Sequence, residues 1–173
     1  MLEIINTLKP FFEDNYRRIN IREYAREMKV SPPTASAILV RYMSENLLTR
    51  EKYRNFLFFH ANKQSKDFID LSRIYWRQKL GDLIDHLEKK LASHVIILFG
   101  SLSKAEAKND SDIDLAIFSE KRDIDLSLFE KKLKRKVQAF WFKSLSDISN
   151  KELANNVING YILSGKLWTG KNV

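Results

Sequence analysis

Apolar side chains at Leu2, Ile4, Ile5, Leu8, Phe11 and Phe12 recur at helical spacing and predict a helix over residues 2–14 with one buried face. Ile21, Tyr24, Ala25 and Met28 then predict a short amphipathic helix. The stretch "KVSPP" ends it and opens another. Ser31 suits an N-cap, and Pro32 and Pro33 suit the first helical positions, where a missing N–H costs nothing. This second helix is expected over residues 32–46, with Ala35, Ile38, Leu39 and Tyr42 inward. Two short helices joined by a tight turn follow the helix-turn-helix plan. Lys29 falls in the turn, where glycine is cheaper if φ is positive. Beyond it, "EKYRN" and "FLFFH" read as the turn and returning strand of a β-hairpin, or wing.

Residues 66–92 hold a helical period through Phe68, Leu71, Ile74, Tyr75, Leu80, Leu83, Ile84, Leu87 and Leu91, with Gly81 marking a break. The segment is not enriched in Pro, Ser or Gly, so it reads as a helical connection rather than a flexible one. Strands are expected at residues 94–99 and 112–118 with a short helix between them. A helix over "IDLSLFEKKLKRK", a core strand at "VQAFWF" and one or two closing helices over residues 145–165 follow. The basic run at 130–136 reads as the exposed face and C-terminal end of its helix, where cations suit the dipole. These elements predict an α/β (α+β) chain: a helical-plus-hairpin domain over 1–64, a helical linker over 65–92, and a small mixed sheet flanked by helices over 93–173.

Composition narrows the chemistry. The 173 residues are 44% hydrophobic and 30% charged, enough to bury a core and to fold without outside help. The absence of cysteine removes disulfides, thiolate zinc sites and cysteine nucleophiles together. His60, His86 and His94 lack ligand-like spacing, so no structural zinc site is expected. The N-terminal stretch carries early acids and reads as neither signal nor transit peptide, and no run approaches the ~18 apolar residues of a membrane helix. A cytoplasmic protein with no membrane partner is expected. The formal charge of +8 favours polyanionic partners and is shared along the chain: residues 1–65 hold 11 Lys+Arg against 7 Asp+Glu, and residues 66–173 hold 19 against 15.

The chemistry concentrates in "HVIILFGSLSKAEAKNDSDIDLAIF". Side chains two apart on a strand share a face, so Asp112 and Asp114 project together while Ile113 and Leu115 point the other way. Two carboxylates so placed repel each other unless a cation lies between them, and oxygen donors of this kind suit Mg²⁺. Gly100 allows close backbone approach and Ser101 brings a hydroxyl donor, both useful against a phosphate.

"LFGSLSKAEAKNDSDIDLAIF" resembles the minimal nucleotidyltransferase signature of the DNA polymerase β-like superfamily, with ten residues between Ser101 and Asp112. The resemblance implies that Gly100, Ser101 and Lys104 bind the nucleotide, that Asp112 and Asp114 are catalytic and hold Mg²⁺ (or Mn²⁺), and that ATP or another NTP is the substrate. Family members usually add a third carboxylate from a later strand; here "KVQAFWF" places Gln138 there and offers no acid. Leu102 and Ala105 replace a frequent arginine and a frequent glycine.

Residues 1–62 resemble a winged-helix DNA-binding domain of prokaryotic regulators. That resemblance implies DNA contacts from Thr34, Ser36 and Arg41 on the second helix and from Lys52 and Arg54 on the wing, and a homodimer on a palindromic site. Small domains of the nucleotidyltransferase kind also act as antitoxins that modify a helical toxin, which adds a toxin protein or another macromolecular acceptor to the expected partners. Two functions follow: nucleotidyl transfer to a hydroxyl acceptor by a DNA-binding protein, or a DNA-binding regulator whose second domain senses a nucleotide without turnover.

Overall fold

Pro10 has no backbone N–H to donate, and the single helix expected at the start of the chain breaks ahead of it into α1 (Glu3–Thr7) and α2 (Lys9–Glu13). The apolar face survives the break, because Ile5, Leu8, Phe11 and Phe12 are all buried. The computed structural model describes residues 3–91 and 94–167; Leu2 and Ala92, the outer ends of two expected helices, lie outside the described residues.

The chain divides into two compact units, one comprising Met1–Tyr75 with Ala105–Asn109 and the other Trp76–Lys104 with Asp110–Val173. In the first unit, β1 (Ile19–Asn20) leads directly into α3 (Ile21–Met28) through a capping box: Asn20 Oδ1 accepts the Glu23 N–H at 3.0 Å, and Glu23 Oε2 accepts the Asn20 N–H at 3.0 Å. Lys29 ends α3 in the left-handed region at φ 55°, so the turn does require the conformation that glycine adopts most cheaply. Ser31 Oγ accepts the Thr34 N–H and opens α4 (Pro32–Ser44), which buries Ala35, Leu39 and Tyr42.

The antiparallel hairpin β2 (Leu48–Tyr53) and β3 (Phe56–Ala61) turns at Arg54-Asn55, and β1 adds to it in the order β1-β3-β2. Helix α5 (Lys66–Lys79) follows, and its Phe68 and Tyr75 rings pack on Phe12 at centroid distances of 5.1 and 5.3 Å. Buried Asn15 holds the 105–109 segment in this unit. Its Oδ1 accepts the Ala107 N–H at 2.7 Å, its own N–H donates to the Ala107 carbonyl at 2.8 Å, and its Nδ2 donates to the Phe11 carbonyl at 2.7 Å.

The second unit is a mixed sheet with helices around it. After α6 (Gly81–Lys90) come β4 (Val95–Phe99), α7 (Gly100–Ser103), β5 (Ile113–Phe118), α8 (Ser127–Leu133), β6 (Val137–Phe142), α9 (Lys151–Ile158) and β7 (Tyr161–Ser164). Gly81 is the first residue of α6, so the expected break in the long helical run falls there. The sheet order is β6-β5-β4-β7, with β5 and β6 parallel and the other pairs antiparallel.

Three expectations are corrected. One closing helix, α9, forms within the expected 145–165, but residues 161–164 are strand β7, not helix: Gly160 lets the chain turn tightly against β4, where any Cβ would meet the Leu98 carbonyl at 2.7 Å, and the apolar residues that follow pair with Ile97 and Leu98. The helix over "IDLSLFEKKLKRK" is only seven residues, stopped by Lys134 in the left-handed region at φ 54°. "VQAFWF" is an edge strand rather than a core one, bonded to β5 alone.

Candidate active site

The register of β5 decides what surrounds the two acids. Asp114 stands opposite Phe99 on β4 and beside Gln138 on β6. The same sheet face continues beneath it as an apolar floor of Phe99, Ala116, Ile97 and Phe118, closed by Ile148 and by Val157 of α9. Asp112 precedes the strand by one residue and shares the face of Asp114.

Gly100 explains how backbone and acid come together. It adopts φ +70°, and a Cβ built on it would run into Asp114 Oδ2 and lie 3.2 Å from Asp114 Cγ. Only glycine lets the chain pass this close to the carboxylate. Burial against the apolar floor, and then the charge of Asp112, push the Asp114 carboxyl up from 3.8 to about 6. Asp112 accepts a hydrogen bond from Gln138 Nε2 at 2.5 Å, so an amide occupies the neighbouring position on β6.

This donor set fits a hard divalent cation. Two carboxylates lie side by side in a setting that penalises their joint charge, and the Gln138 amide, turned over, would add a third oxygen. Among the described residues no group of three or more His, Cys, Asp or Glu could hold a metal, so the set is two acids and an amide.

The remaining predicted nucleotide residues are less uniformly placed. Ser101 sits half-buried in the first turn of α7, and Ser103 Oγ donates to the Gly100 carbonyl at 2.9 Å, bracing the bend. Lys104 closes α7 and donates to Asn156 Oδ1 on α9 at 2.7 Å. Asn156 carries no sequence signal, because only the folding of α9 over this sheet face brings it to the lysine.

Arg135 was also hidden. It lies in the basic run expected to be exposed, yet it is 6% exposed, stacks over Trp76 at 5.1 Å and donates to the Ser111 carbonyl at 2.6 Å. A buried cation thus fixes the residue immediately before Asp112. Nothing in "KLKRK" separates Arg135 from its exposed neighbours Lys134 and Lys136.

Of the residues expected to meet DNA, Thr34 is exposed in the first turn of α4 with its Oγ1 2.8 Å from Ser31 Oγ, and Ser36 is half-buried. Arg41 lies toward the other end of the helix and pairs with Glu45 at 2.8 Å. Lys52 and Arg54 are exposed on the hairpin; Arg54 takes φ 55° at the turn and its guanidinium lies 5.5 Å from the Tyr53 ring.

A small mixed sheet that presents a Gly-Ser bend to a pair of acids two residues apart is a nucleotidyltransferase-like fold. The chain belongs to the polymerase beta nucleotidyltransferase family, whose model matches residues 81–167. No curated protein and no solved structure matches it. No helix among the described residues is long and apolar enough to cross a membrane.

Proposed function

We propose that the second unit transfers a nucleoside monophosphate, most simply AMP from ATP, to a hydroxyl acceptor, and that the first unit binds DNA as a winged helix. The approach of the Gly100 backbone to Asp114, with Asp112 on the same face, carries the first half of this reading. In the reaction the acceptor oxygen bonds to the α-phosphorus, the bond to the β-phosphate breaks, pyrophosphate leaves and the hydroxyl proton passes to solvent. Asp112 and Asp114 would hold Mg²⁺ or Mn²⁺, which supplies neutralisation of the triphosphate and of the leaving group. Gly100 and Ser101 would orient the phosphates. Lys104, already tied to Asn156, would approach the same groups from the α9 side. Arg135 keeps Ser111, and with it the start of the acidic strand, in place.

A second reading rests on one observation: the amide of Gln138 occupies the place where a third carboxylate would serve the family's chemistry. In that reading the site binds metal and nucleotide but does not turn over, and the chain is a nucleotide-sensing regulator of transcription. The transferase reading extends to an antitoxin role, with a toxin protein as acceptor and the DNA-binding unit acting on the protein's own promoter as a homodimer.

Incubation with Mg²⁺ and each α-³²P-labelled NTP, with cell lysate as acceptor source, separates the readings. Label transferred by the wild type and lost in Asp112→Ala/Asp114→Ala identifies a transferase and weighs its acceptor. Mg-nucleotide binding that the double variant loses, without transfer by the wild type, identifies a sensor. For the first unit, a fluorescent duplex titrated at several salt concentrations should bind with an affinity that falls linearly with salt on logarithmic axes, and Arg41→Ala should lower that slope by about 1. Absence of duplex binding would remove the DNA reading.

A further inference from the structure

An open cavity of about 540 Å³ lies between α3 and the turn of the hairpin, inside the first unit. Arg22 and Arg26 line one wall, Phe56 and Leu57 the other, and Asn20 and Asn55 lie along it. The two arginines are four residues apart on α3, so they sit one above the other on one helix face. Both are exposed, and among the described residues no ion pair engages either.

Their neighbours differ in this respect. Arg17 is paired with Glu27, Arg18 with Glu51 and Arg41 with Glu45. The one acid in the cavity lining, Glu23, is turned back into the capping box, where its Oε2 accepts the Asn20 N–H. The positive charge of this wall is therefore unanswered within the cavity. The opposite wall is apolar and open: Phe56 is 58% exposed and Leu57 40% exposed, although both are large side chains that a core would bury.

Cations along one wall and apolar faces along the other suit a ligand that alternates charge with flat apolar surface. A nucleic-acid strand has this character, with phosphates recurring between sugars and bases. An acidic peptide would answer the charge as well. The same hairpin also carries exposed Lys52 and Arg54, however, and several cations on α3 and the hairpin match a polyanionic backbone better than a short peptide anchor.

We infer that this cavity seats the backbone of one strand of duplex DNA, with Arg22 and Arg26 each on a phosphate and Phe56 against the intervening sugar. The inference rests on the DNA-binding reading above and adds to Arg41 of α4 a second set of residues that hold the backbone, on α3.

The test is anisotropy of a labelled random-sequence duplex across a salt series, using the full chain. Arg22→Ala/Arg26→Ala should lower the slope of log affinity against log salt by about 2 relative to wild type. Arg22→Lys/Arg26→Lys should keep the wild-type slope, because each lysine still neutralises a phosphate. Phe56→Ala should weaken binding at an unchanged slope. All these positions are exposed, and circular dichroism melts check that the variants fold alike. Wild-type binding with an unaltered slope in the double alanine variant would overturn the inference and leave the DNA reading standing. Absence of duplex binding by the wild type, with polyglutamate bound instead and lost in the double variant, would overturn both and assign the cavity to an acidic polypeptide.

Discussion

Replacing Asp114 by asparagine should stabilise the free protein while removing its response to Mg-nucleotide. Burial and the neighbouring Asp112 raise the carboxyl of Asp114 from 3.8 to about 6, so the folded chain holds a proton there that the unfolded chain has released. Between about pH 4 and pH 6 the native state binds more protons than the unfolded state, and stability falls as pH rises. Above that window the full penalty of an ionised Asp114 is present; below it there is none. The interval from 3.8 to about 6 corresponds to about 3 kcal/mol at full weight, and solvent access to a half-buried carboxyl reduces the expectation to about 1–2 kcal/mol. An asparagine amide would resemble the protonated carboxyl at every pH. Urea unfolding of wild type and Asp114→Asn, followed by tryptophan fluorescence from pH 4 to pH 8, measures the difference; Trp76 and Trp141 both lie in the unit that carries the site. The variant should be the more stable by about 1–2 kcal/mol at pH 8, and the two curves should converge near pH 4. A constant difference across pH, or a variant weaker than wild type at pH 8, would refute the reasoning. In thermal melts, Mg-ATP should raise the midpoint of wild type and leave that of Asp114→Asn unchanged.

Other consequences follow from single contacts. Gly100→Ala forces a side chain into the left-handed region and against the Asp114 carboxylate, so it should cost about 2 kcal/mol or more and abolish Mg-ATP binding by calorimetry. Arg135→Met keeps an apolar stem but withdraws the guanidinium from the Trp76 ring and the donor from the Ser111 carbonyl, with an expected loss of about 1.5–3 kcal/mol in chemical denaturation. Asn15→Ala leaves the buried Ala107 N–H without its acceptor, and hydrogen exchange at Ala107 should speed up alongside a loss of about 1–3 kcal/mol. Gln138→Glu exchanges the amide on Asp112 for a third carboxylate. It should tighten Mn²⁺ binding measured by electron paramagnetic resonance and weaken the metal-free fold, since three acids then share one face.

Much of the site was legible because its determinants are local. Alternation along "DIDLAIF" put Asp112 and Asp114 on one face, Gly-Ser at the end of an apolar strand marked the bend, and Ser31 with two prolines marked the start of α4. Each signal depends on residues within one turn or one pleat, where backbone geometry alone sets direction. The single helix expected over residues 2–14 failed at the same level, since Pro10 was present in the sequence as the local reason for its break.

Tertiary structure decided what lies beside these elements. Pairing with β4 made residues 161–164 a strand despite their weak periodicity, and the parallel register of β5 with β6 brought the Gln138 amide to Asp112. Burial of Arg135, the meeting of Lys104 with Asn156 and the clamp of Asn15 on Ala107 all join residues far apart in the chain or select one residue among like neighbours. No spacing rule encodes such choices, because they are made when whole elements pack and each buried polar group must find a partner. The sequence by itself determined the pair of acids and the glycine that admits a backbone to them; the packing of the sheet determined that one acid is held by an amide and that burial raises the carboxyl of the other.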